Sequence, residues 1–247
     1  NETGCIQPIY EIADKIIEAT QGKRKPHFHV DFVQAAGKIP IELNYKGIDS
    51  GAFSAHKICG PRGIGILYLA KEINSFLIGG GQENNIRSGT ENIFGAIAFD
   101  HCLQKYYLNK NNINTEIQNR FEIQKEYMSN FIKELSKIKG CTIVPEIRKN
   151  LDAQTQNKFS PWVIQVAFNK IPGNVMVRAL DSKGFCISTG SACSAKKQKR
   201  PILAAMKASK EIQDTAVRFS FGPLSTEQGI EELLNAINEI NSAFNGK

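Results

Sequence analysis

Hydrophobic positions in the first third of the chain change between helical and strand spacing. Residues 8–21 place isoleucines three and four positions apart and are followed by Gly22, which predicts a helix. Short β-prone runs predict strands at residues 27–33, 52–54 and 65–69. Because these strands alternate with helical segments, the pattern indicates an α/β fold with a mainly parallel sheet.

The rest of the chain predicts a second unit. Residues 91–138 are mostly helical, and a polar cluster at residues 109–114 indicates a break between two long helices. Strands are predicted at residues 141–144, 162–168, 185–188 and 216–220, interleaved with helices at residues 173–182, 201–208 and 226–244. We therefore expect one domain over residues 1–110 and a smaller α+β domain over residues 111–247.

Composition narrows the class of protein. A chain of 247 residues with 41% hydrophobic residues can bury a substantial core, which excludes a disordered protein. Its longest apolar runs are far shorter than the ~20 residues that cross a bilayer. The net charge of +7 is scattered apart from residues 23–25 and 196–200, so we expect no membrane and no direct nucleic-acid partner.

The six cysteines contain no CxxC pair, and the four histidines have no nearby Cys or His partner. We therefore expect a reducing, cytoplasmic location and no metal site. Cys59, Cys102 and Cys141 fit buried, inert positions, and Cys186 fits a structural one. The chain opens in a turn-like sequence without an initiator Met, so we also expect that it is a fragment.

One segment carries a candidate chemical group. Ser54, His56 and Lys57 follow a predicted strand, and glycines at positions 60, 63 and 65 come directly after them. A lysine at a strand end, beside glycines that let the backbone approach a ligand, suits a Schiff-base lysine over a phosphate site. On this local pattern alone, an exposed turn lysine is the commoner alternative.

A carboxylate upstream supports the same site. Asp31 is predicted at the carboxyl end of an apolar parallel strand, where ligands bind in open α/β sheets. A carboxylate buried there needs a cationic partner, which a protonated pyridine nitrogen would supply. The alternative is that Asp31 caps the turn that begins at Val33.

Six motifs together resemble one known family. They occur in the order NETGCIQPI, HVDFVQAAGK, SAHKICGPRGIGILY, GGGQENNIRSGTEN, STGSACSA and RFSFGPLSTEQ, from residue 1 to about residue 230. The chain resembles the cysteine desulfurases, which are related to the class V aminotransferases and use pyridoxal 5′-phosphate (PLP). The resemblance implies the PLP-dependent transferase fold-type I. Residues 1–110 would then be the C-terminal part of a truncated PLP-binding large domain.

The resemblance assigns roles at the cofactor. Lys57 matches the lysine that carries PLP, and Asp31 matches the carboxylate on the pyridine nitrogen. The other positions that match cofactor contacts are Gln34, Asn1, Ser54, His56 and Thr90. In this family the position of Thr90 acts in the other subunit, which implies a homodimer. His56 is also a candidate catalytic residue, although taken alone it fits a structural histidine.

The resemblance also assigns the substrate residues. Cys193 matches the nucleophile that takes the substrate sulfur, and the basic residues that follow it favour a thiolate. Arg218 matches the arginine on the substrate carboxylate, with Asn1 as a second contact. By pattern alone, Arg218 fits a solvent-facing strand charge equally well. The implied domain of residues 111–247 therefore carries the loop of the catalytic cysteine.

The resemblance implies a reaction, and two alternative functions stand beside it. L-Cysteine would become alanine, and its sulfur would pass through a persulfide on Cys193 to an iron-sulfur scaffold or a tRNA-thiolation relay. A sibling selenocysteine lyase or cysteine-sulfinate desulfinase shares the same PLP residues. A non-catalytic fold or dimerisation module is the second rival, because the family's N-terminal part is absent from this chain.

Overall fold

A computed structural model describes residues 1–106, 113–190 and 200–245. For residues 113–116 it describes the backbone alone. The chain divides into two compact units. One unit is Gln7–Arg120, and the other combines Asn1–Ile6 with Phe121–Lys247. The assignment of these units to a PLP-binding domain and a small domain remains a prediction, so each unit is described separately below.

The Gln7–Arg120 unit contains a three-stranded sheet and two of its own helices. Its elements are α1 (Ile9–Ala19), β1 (His29–Asp31), β2 (Ser50–Ser54), a 3₁₀ turn (Ala55–Lys57), β3 (Gly65–Leu69) and α2 (Ile93–Tyr106). The strand order is β1-β2-β3. A core of Ala13, Val30, Phe32 and Ile48 joins α1 to the sheet, and the Phe32 ring stacks on Phe53 at 5.3 Å.

This sheet is mixed, which corrects the expectation of a mainly parallel one. β1 and β2 are parallel, whereas β2 and β3 are antiparallel. A parallel connection needs a crossover of about a dozen or more residues. Residues 55–64 between β2 and β3 are too few for that, and they form a turn that returns the chain beside β2.

The second unit is built on an antiparallel sheet. Its helices are α3 (Ile113–Leu135, which begins in the first unit), α4 (Ala153–Gln156), α5 (Gly173–Asp181), α6 (Pro201–Ala205), α7 (Lys210–Thr215) and α8 (Glu227–Asn245). Its strands are β4 (Cys141–Val144), β5 (Val163–Phe168) and β6 (Ala216–Ser220), in the order β4-β5-β6. A smaller α+β unit was predicted here.

One face of this sheet carries the apolar core. Helices α3, α5 and α8 pack their apolar sides on Ile164, Val166, Phe168, Val217 and Phe219. Side chains alternate between faces along a strand, so Gln165 and Arg218 point to the opposite face. The strand predicted at residues 185–188 is reduced to one antiparallel bridge between Ser188 and Arg218.

The two long helices predicted at residues 91–138 are present as α2 and α3. α2 ends at Tyr106 and α3 begins at Ile113, so most of the predicted polar break lies outside the described residues. Within the described part of the chain, no helix is both long and apolar enough to cross a lipid bilayer.

The aromatic centre of the second core gives a stability prediction. Phe219 is 1% exposed and packs edge to face with Phe131 at 5.6 Å and with Phe168 at 6.4 Å. Phe219→Ala would leave a cavity there, and we expect a loss of about 3–5 kcal/mol in the free energy of unfolding. Urea unfolding followed by circular dichroism measures this loss. Phe244→Ala, at an exposed site on α8, is the matched control and should cost far less.

Candidate active site

The parallel pairing of β1 and β2 creates one edge where polar side chains collect. Asp31 ends β1 and is level with Ala52 of β2, so Ser54 ends β2 two residues beyond. The 3₁₀ turn Ala55–Lys57 follows at once and carries His56 and Lys57. The structure therefore brings Asp31, Ser54, His56 and Lys57 to the carboxyl ends of neighbouring parallel strands, which is where open α/β sheets bind ligands.

Small residues and backbone bonds hold the turn that presents Lys57. Ala55 is fully buried, and its carbonyl accepts hydrogen bonds from the N–H groups of Ile58 and Gly60, both at 2.9 Å. A Cβ on Gly60 would lie 2.9 Å from the Cβ of Ala55, so this position has no room for a side chain. The lysine is thus fixed at its backbone, although its side chain stays half-buried.

Asp31 forms the local cap that its sequence position allowed, and it is exposed where a buried carboxylate was expected. Its Oδ1 accepts a hydrogen bond from the Val33 N–H at 2.9 Å, which is the local cap considered as an alternative. The Asp31 side chain is exposed at the sheet edge. Since one carboxylate oxygen satisfies the turn, the other is left for a ligand. Local capping and ligand binding are therefore compatible at this residue.

The side chains around Asp31 differ in how firmly they are held. The Gln34 Oε1 accepts a hydrogen bond from the Lys38 Nζ at 3.2 Å. The amide nitrogen of Gln34 takes no part in this bond. Within the residues that the structure describes, the side chains of Ser54, His56 and Lys57 form no hydrogen bond or ion pair. The edge thus presents an amine, a hydroxyl and an imidazole that have no side-chain partner among residues 1–106, 113–190 and 200–245.

Thr90 lies in a separate glycine-rich loop of the same unit. Its carbonyl accepts a hydrogen bond from Arg87 at 3.1 Å, and its side chain is exposed. The loop is held by its own contacts, including a bond from the Gly89 N–H to Gln82 at 3.1 Å. The structure does not bring the Thr90 side chain into contact with the β1–β2 edge.

Arg218 and Asn1 meet in the second unit. The Arg218 side chain donates a hydrogen bond from NH1 to the Asn1 carbonyl at 3.0 Å, although 217 positions separate them. Arg218 is half-buried, and desolvation lowers the pKa of its guanidinium while the negative charge of Glu2 opposes that change. It is therefore not the solvent-facing strand charge that the local pattern allowed.

A fully buried arginine ties the first motif to this unit. Arg148 is 0% exposed and donates hydrogen bonds to the carbonyls of Thr3 at 2.8 Å, Ser160 at 2.8 Å and Val163 at 2.5 Å. Burial lowers its pKa to about 9. Gly4 has a φ of +80°, and a Cβ there would lie 2.6 Å from the Val163 carbonyl, so this site requires glycine.

Sequence reasoning missed two charged residues beside Arg218. Glu2 is 3% exposed, and its Oε2 lies 3.9 Å from NH2 of Arg200. Glu2 lies inside the first motif, which was interpreted only through Asn1. Arg200 ends the basic run of residues 196–200, which was interpreted only as favouring the thiolate of Cys193. The signal available in the sequence was a charged residue, Glu2, directly beside a position that had been assigned to the site.

The cysteines correct one expectation. Cys102 is buried, and desolvation raises the pKa of its thiol. Cys141 is half-buried, and burial raises its thiol pKa to about 12. Cys59 was expected to be buried but is exposed, in the turn after Lys57, where its φ is +66°. Cys186 is also exposed, and Cys193 lies outside the described residues.

The predicted site residues thus form two groups. Asp31, Gln34, Ser54, His56 and Lys57 belong to the Gln7–Arg120 unit, whereas Asn1 and Arg218 belong to the other unit. The residues that the structure describes contain no group of three or more His, Cys, Asp or Glu side chains that could hold a metal ion. The arrangement offers an amine and a carboxylate at the same sheet edge, and a separate arginine fork suited to a carboxylate ligand.

Comparison with known proteins places this arrangement in a family. The sequence pattern of the aminotransferase class-V family matches residues 1–233. A cysteine desulfurase IscS of Dictyoglomus turgidum is 31% identical over 243 residues, covering 97% of this chain and 57% of that protein. A NifS/IcsS protein homolog of Lactobacillus delbrueckii subsp. bulgaricus is 34% identical over 248 residues, covering 99% of this chain and 60% of that protein.

A solved structure agrees with the sequence relatives. A NifS-like protein matches with a TM-score of 0.77 and 28% identity, over 98% of this chain and 58% of that chain. The fold is therefore the fold-type I of PLP-dependent transferases, as the motifs implied. The chain belongs to the aminotransferase class-V family, and it spans about 57–60% of the length of these relatives.

The clamp at Arg148 gives a prediction about the first motif. Arg148→Met keeps much of the apolar stem but leaves three carbonyls without their donor, so we expect the free energy of unfolding to fall by about 3–5 kcal/mol. Hydrogen exchange of residues 2–6 should rise together with this loss. Arg178→Met, at an exposed site on α5, is the control and should change neither quantity measurably. Unchanged exchange of residues 2–6 in Arg148→Met would contradict the clamp.

Proposed function

We propose that the chain is the PLP-binding and substrate-binding part of a cysteine desulfurase, which converts L-cysteine to L-alanine and keeps the sulfur as a protein persulfide. The observation that carries this proposal is the gathering of Lys57, Asp31, Ser54 and His56 at one sheet edge. Relatives named cysteine desulfurase, which match almost the whole chain, support it.

The residues at this edge fit PLP by their chemistry. Lys57 is an amine without an ion-pair partner among the described residues, as an aldehyde ligand requires. Asp31 offers a carboxylate for a protonated ring nitrogen, Gln34 an amide for a ring hydroxyl, and Ser54 and His56 donors for a phosphate. When bound, PLP supplies an electron sink for the negative charge that develops at the α-carbon of an amino acid.

The chain's own groups then have distinct tasks. The Lys57 Nζ takes the proton from the substrate α-carbon as the general base. The Asp31 carboxylate would pair with the protonated ring nitrogen of bound PLP, and the hydrogen bond from the Val33 N–H holds that carboxylate in place. Arg218 binds the substrate carboxylate with its planar pair of N–H donors, and Asn1 supports the same contact.

Cys193 takes the sulfur. Its thiolate attacks the substrate sulfur, so that an S–S bond forms at the enzyme and the bond between sulfur and the substrate β-carbon breaks. The β-carbon gains a proton, which makes alanine, and Cys193 carries one additional sulfur atom. The lysines at positions 196, 197 and 199 favour the thiolate by their charge. An iron-sulfur scaffold or a tRNA-thiolation relay is the proposed acceptor.

The location proposed for this chemistry is the cytosol. The five described cysteines are free thiols, which suits a reducing compartment. A persulfide on Cys193 also needs such a compartment, because an oxidising one would capture it as a disulfide.

A second candidate is a fold or dimerisation module that is inactive by itself. The absorption spectrum of the unchanged chain with PLP, described below, tests this candidate. A selenocysteine lyase or cysteine-sulfinate desulfinase is a further candidate within the same family, and the test of Cys193 separates it from a cysteine desulfurase.

The central test measures the absorption spectrum of bound PLP and the products released from L-cysteine. The protein incubated with PLP should show a visible absorption band of the bound cofactor. With dithiothreitol present to reduce the persulfide, it should release sulfide and alanine from L-cysteine. Lys57→Ala should lose the band and at least about 99% of the turnover, since the base and the attachment point are both removed. Cys193→Ser should keep the band and lose sulfide release.

Two exposed positions serve as controls for this test. Lys71→Ala and Cys186→Ser should keep both band and activity. Sulfide release that survives in Cys193→Ser would contradict the persulfide step, and no band in the unchanged chain would support the inactive module.

The homodimer expected from Thr90 has support in the surface of the first unit. Phe76, Ile78 and Phe94 are 97%, 94% and 88% exposed, and they flank the Thr90 loop in sequence. Large apolar side chains that are this exposed are typical of a protein interface where they lie together. We propose that a second copy of the chain covers them.

This dimer can be measured in solution. Sedimentation equilibrium should give about twice the mass of 27.4 kDa for the unchanged chain. Phe76→Ser combined with Phe94→Ser should weaken association about tenfold or more, because the apolar contact supplies the binding energy. Ile147→Ser, at an exposed apolar site of the other unit, is the control and should leave the mass unchanged. A monomeric unchanged chain would contradict the proposal.

A further inference from the structure

Two cysteines lie close together at the turn that carries Lys57, and they are here called the Cys59–Cys102 pair. Cys102, on α2, is 6% exposed, and its Sγ donates a hydrogen bond to the Ile58 carbonyl at 2.8 Å. Cys59 is the residue directly after Ile58, and it is exposed. Both cysteines are free thiols of the Gln7–Arg120 unit, so one folded unit brings them together.

The hydrogen bond to Ile58 limits the distance between the two thiols. Across a trans peptide, a carbonyl oxygen lies about 3 Å from the Cα of the following residue. The Sγ of Cys102 is therefore within about 6 Å of the Cα of Cys59. A cysteine sulfur stands about 3 Å from its own Cα, so a Cys59 side chain turned toward α2 leaves at most about 1 Å to close before the S–S bond length of about 2 Å is reached.

The turn and α2 share one small core. Ala55 and Ile58 of the turn pack with Phe99 and Cys102 of α2. A disulfide at Cys102 would replace the S–H that binds the Ile58 carbonyl, so the turn would lose a contact that holds it to the helix. Since the same turn presents Lys57, a bond between the two cysteines would disturb the position of that lysine.

An inert buried thiol explains only half of this arrangement. Cys102 alone fits a core position, since cysteine is small and its S–H has an acceptor. Cys59 is exposed, and its φ of +66° lies in the left-handed region that disfavours residues with a side chain. An exposed thiol next to a second thiol is instead typical of cysteines that respond to oxidants.

We propose that Cys59 and Cys102 are a redox modification site, which a peroxide oxidises to a disulfide that loosens the turn of Lys57 and lowers the affinity for PLP. The disulfide itself is independent of the proposed function, whereas its effect on PLP rests on that function. In a reducing compartment the pair is a dithiol at rest and closes when an oxidant is present.

The oxidation by hydrogen peroxide has two steps. The Cys59 thiolate attacks one peroxide oxygen, so that an S–O bond forms, the O–O bond breaks and the first water leaves. Cys102 then gives up its proton and attacks the Cys59 sulfur, so that the S–S bond forms and the S–O bond breaks with release of the second water. The two thiols lose two electrons, which the peroxide gains. Burial raises the pKa of the Cys102 thiol, so the second step is the slower one near neutral pH.

Disulfide mapping tests the pair without requiring PLP. The unchanged chain is reduced, treated with hydrogen peroxide, alkylated and digested, and mass spectrometry should find one peptide linked through Cys59 and Cys102. Dithiothreitol should remove this link. Cys59→Ser and Cys102→Ala should each abolish it, whereas Cys186→Ser, at an exposed thiol of the other unit, is the matched control and should form it to the same extent.

Two results of the mapping would overturn the proposal. One is the absence of the link in the oxidised unchanged chain. The other is a link of Cys59 to a second copy of the chain, which electrophoresis without reductant would show as a doubled mass.

Amide hydrogen exchange of residues 55–60 measures the effect on the turn. Oxidation of the unchanged chain should raise exchange there about tenfold, because the contact between the turn and α2 is lost, and reduction should reverse the rise. Cys59→Ser under the same peroxide should show no such rise, and residues 163–168 of the other unit should stay unchanged in both. A disulfide that forms without this rise would contradict the proposed loosening.

The visible band of bound PLP gives the functional readout. Oxidation should weaken PLP binding about tenfold in the unchanged chain and less than about twofold in Cys59→Ser, since only the former closes the bond. Equal weakening in both would overturn the effect on PLP. If the disulfide forms and loosens the turn but no form binds PLP, the redox site stands and the proposed function fails. If PLP binds and sulfide is released but no disulfide forms, the redox site fails and the proposed function stands.

Discussion

The parallel pairing of β1 with β2 is the constraint on which the candidate cofactor site depends. It places Asp31 level with Ala52, so the polar residues that end the two strands share one edge. The Phe32 ring packs directly against Gly51, because a Cβ at Gly51 would lie only 2.7 Å from the ring. This contact fixes the pairing of the two strands from the core side. A slip of one residue would turn Asp31 to the other face and separate its carboxylate from the turn that carries Lys57.

Much of this architecture could be predicted from the sequence. The isoleucine spacing of α1 and the stripe of α8 have the period of helices that pack on a core, and both helices form. Lys57, Asp31 and Ser54 could be placed together because strand ends and glycine turns are local features. The antiparallel direction of β3 could also have been predicted from the short connection before it. The alternation of strands with helices favoured a parallel sheet instead.

The remainder depends on contacts that are distant in sequence. Nothing local in the first motif shows that Glu2 would be buried against Arg200, 198 positions later, or that Arg148 would bind the carbonyls of Thr3 and Val163. Arginine usually lies at the surface, so a fully buried one is unexpected from composition. Cys59 was misplaced for a related reason, since its left-handed backbone conformation is set by the turn and not by hydrophobicity.

The position of the first six residues has a consequence for how the chain folds. Asn1–Ile6 pack with residues 121–247, whereas residues 7–120 between them form their own unit. Asn1 therefore meets its partner late, because Arg218 on β6 is synthesised 217 residues after it. Contacts at such sequence separation slow folding. The strands of the Gln7–Arg120 unit all precede residue 70, so this unit has its strands before β6 is made, whereas residues 1–6 depend on β6.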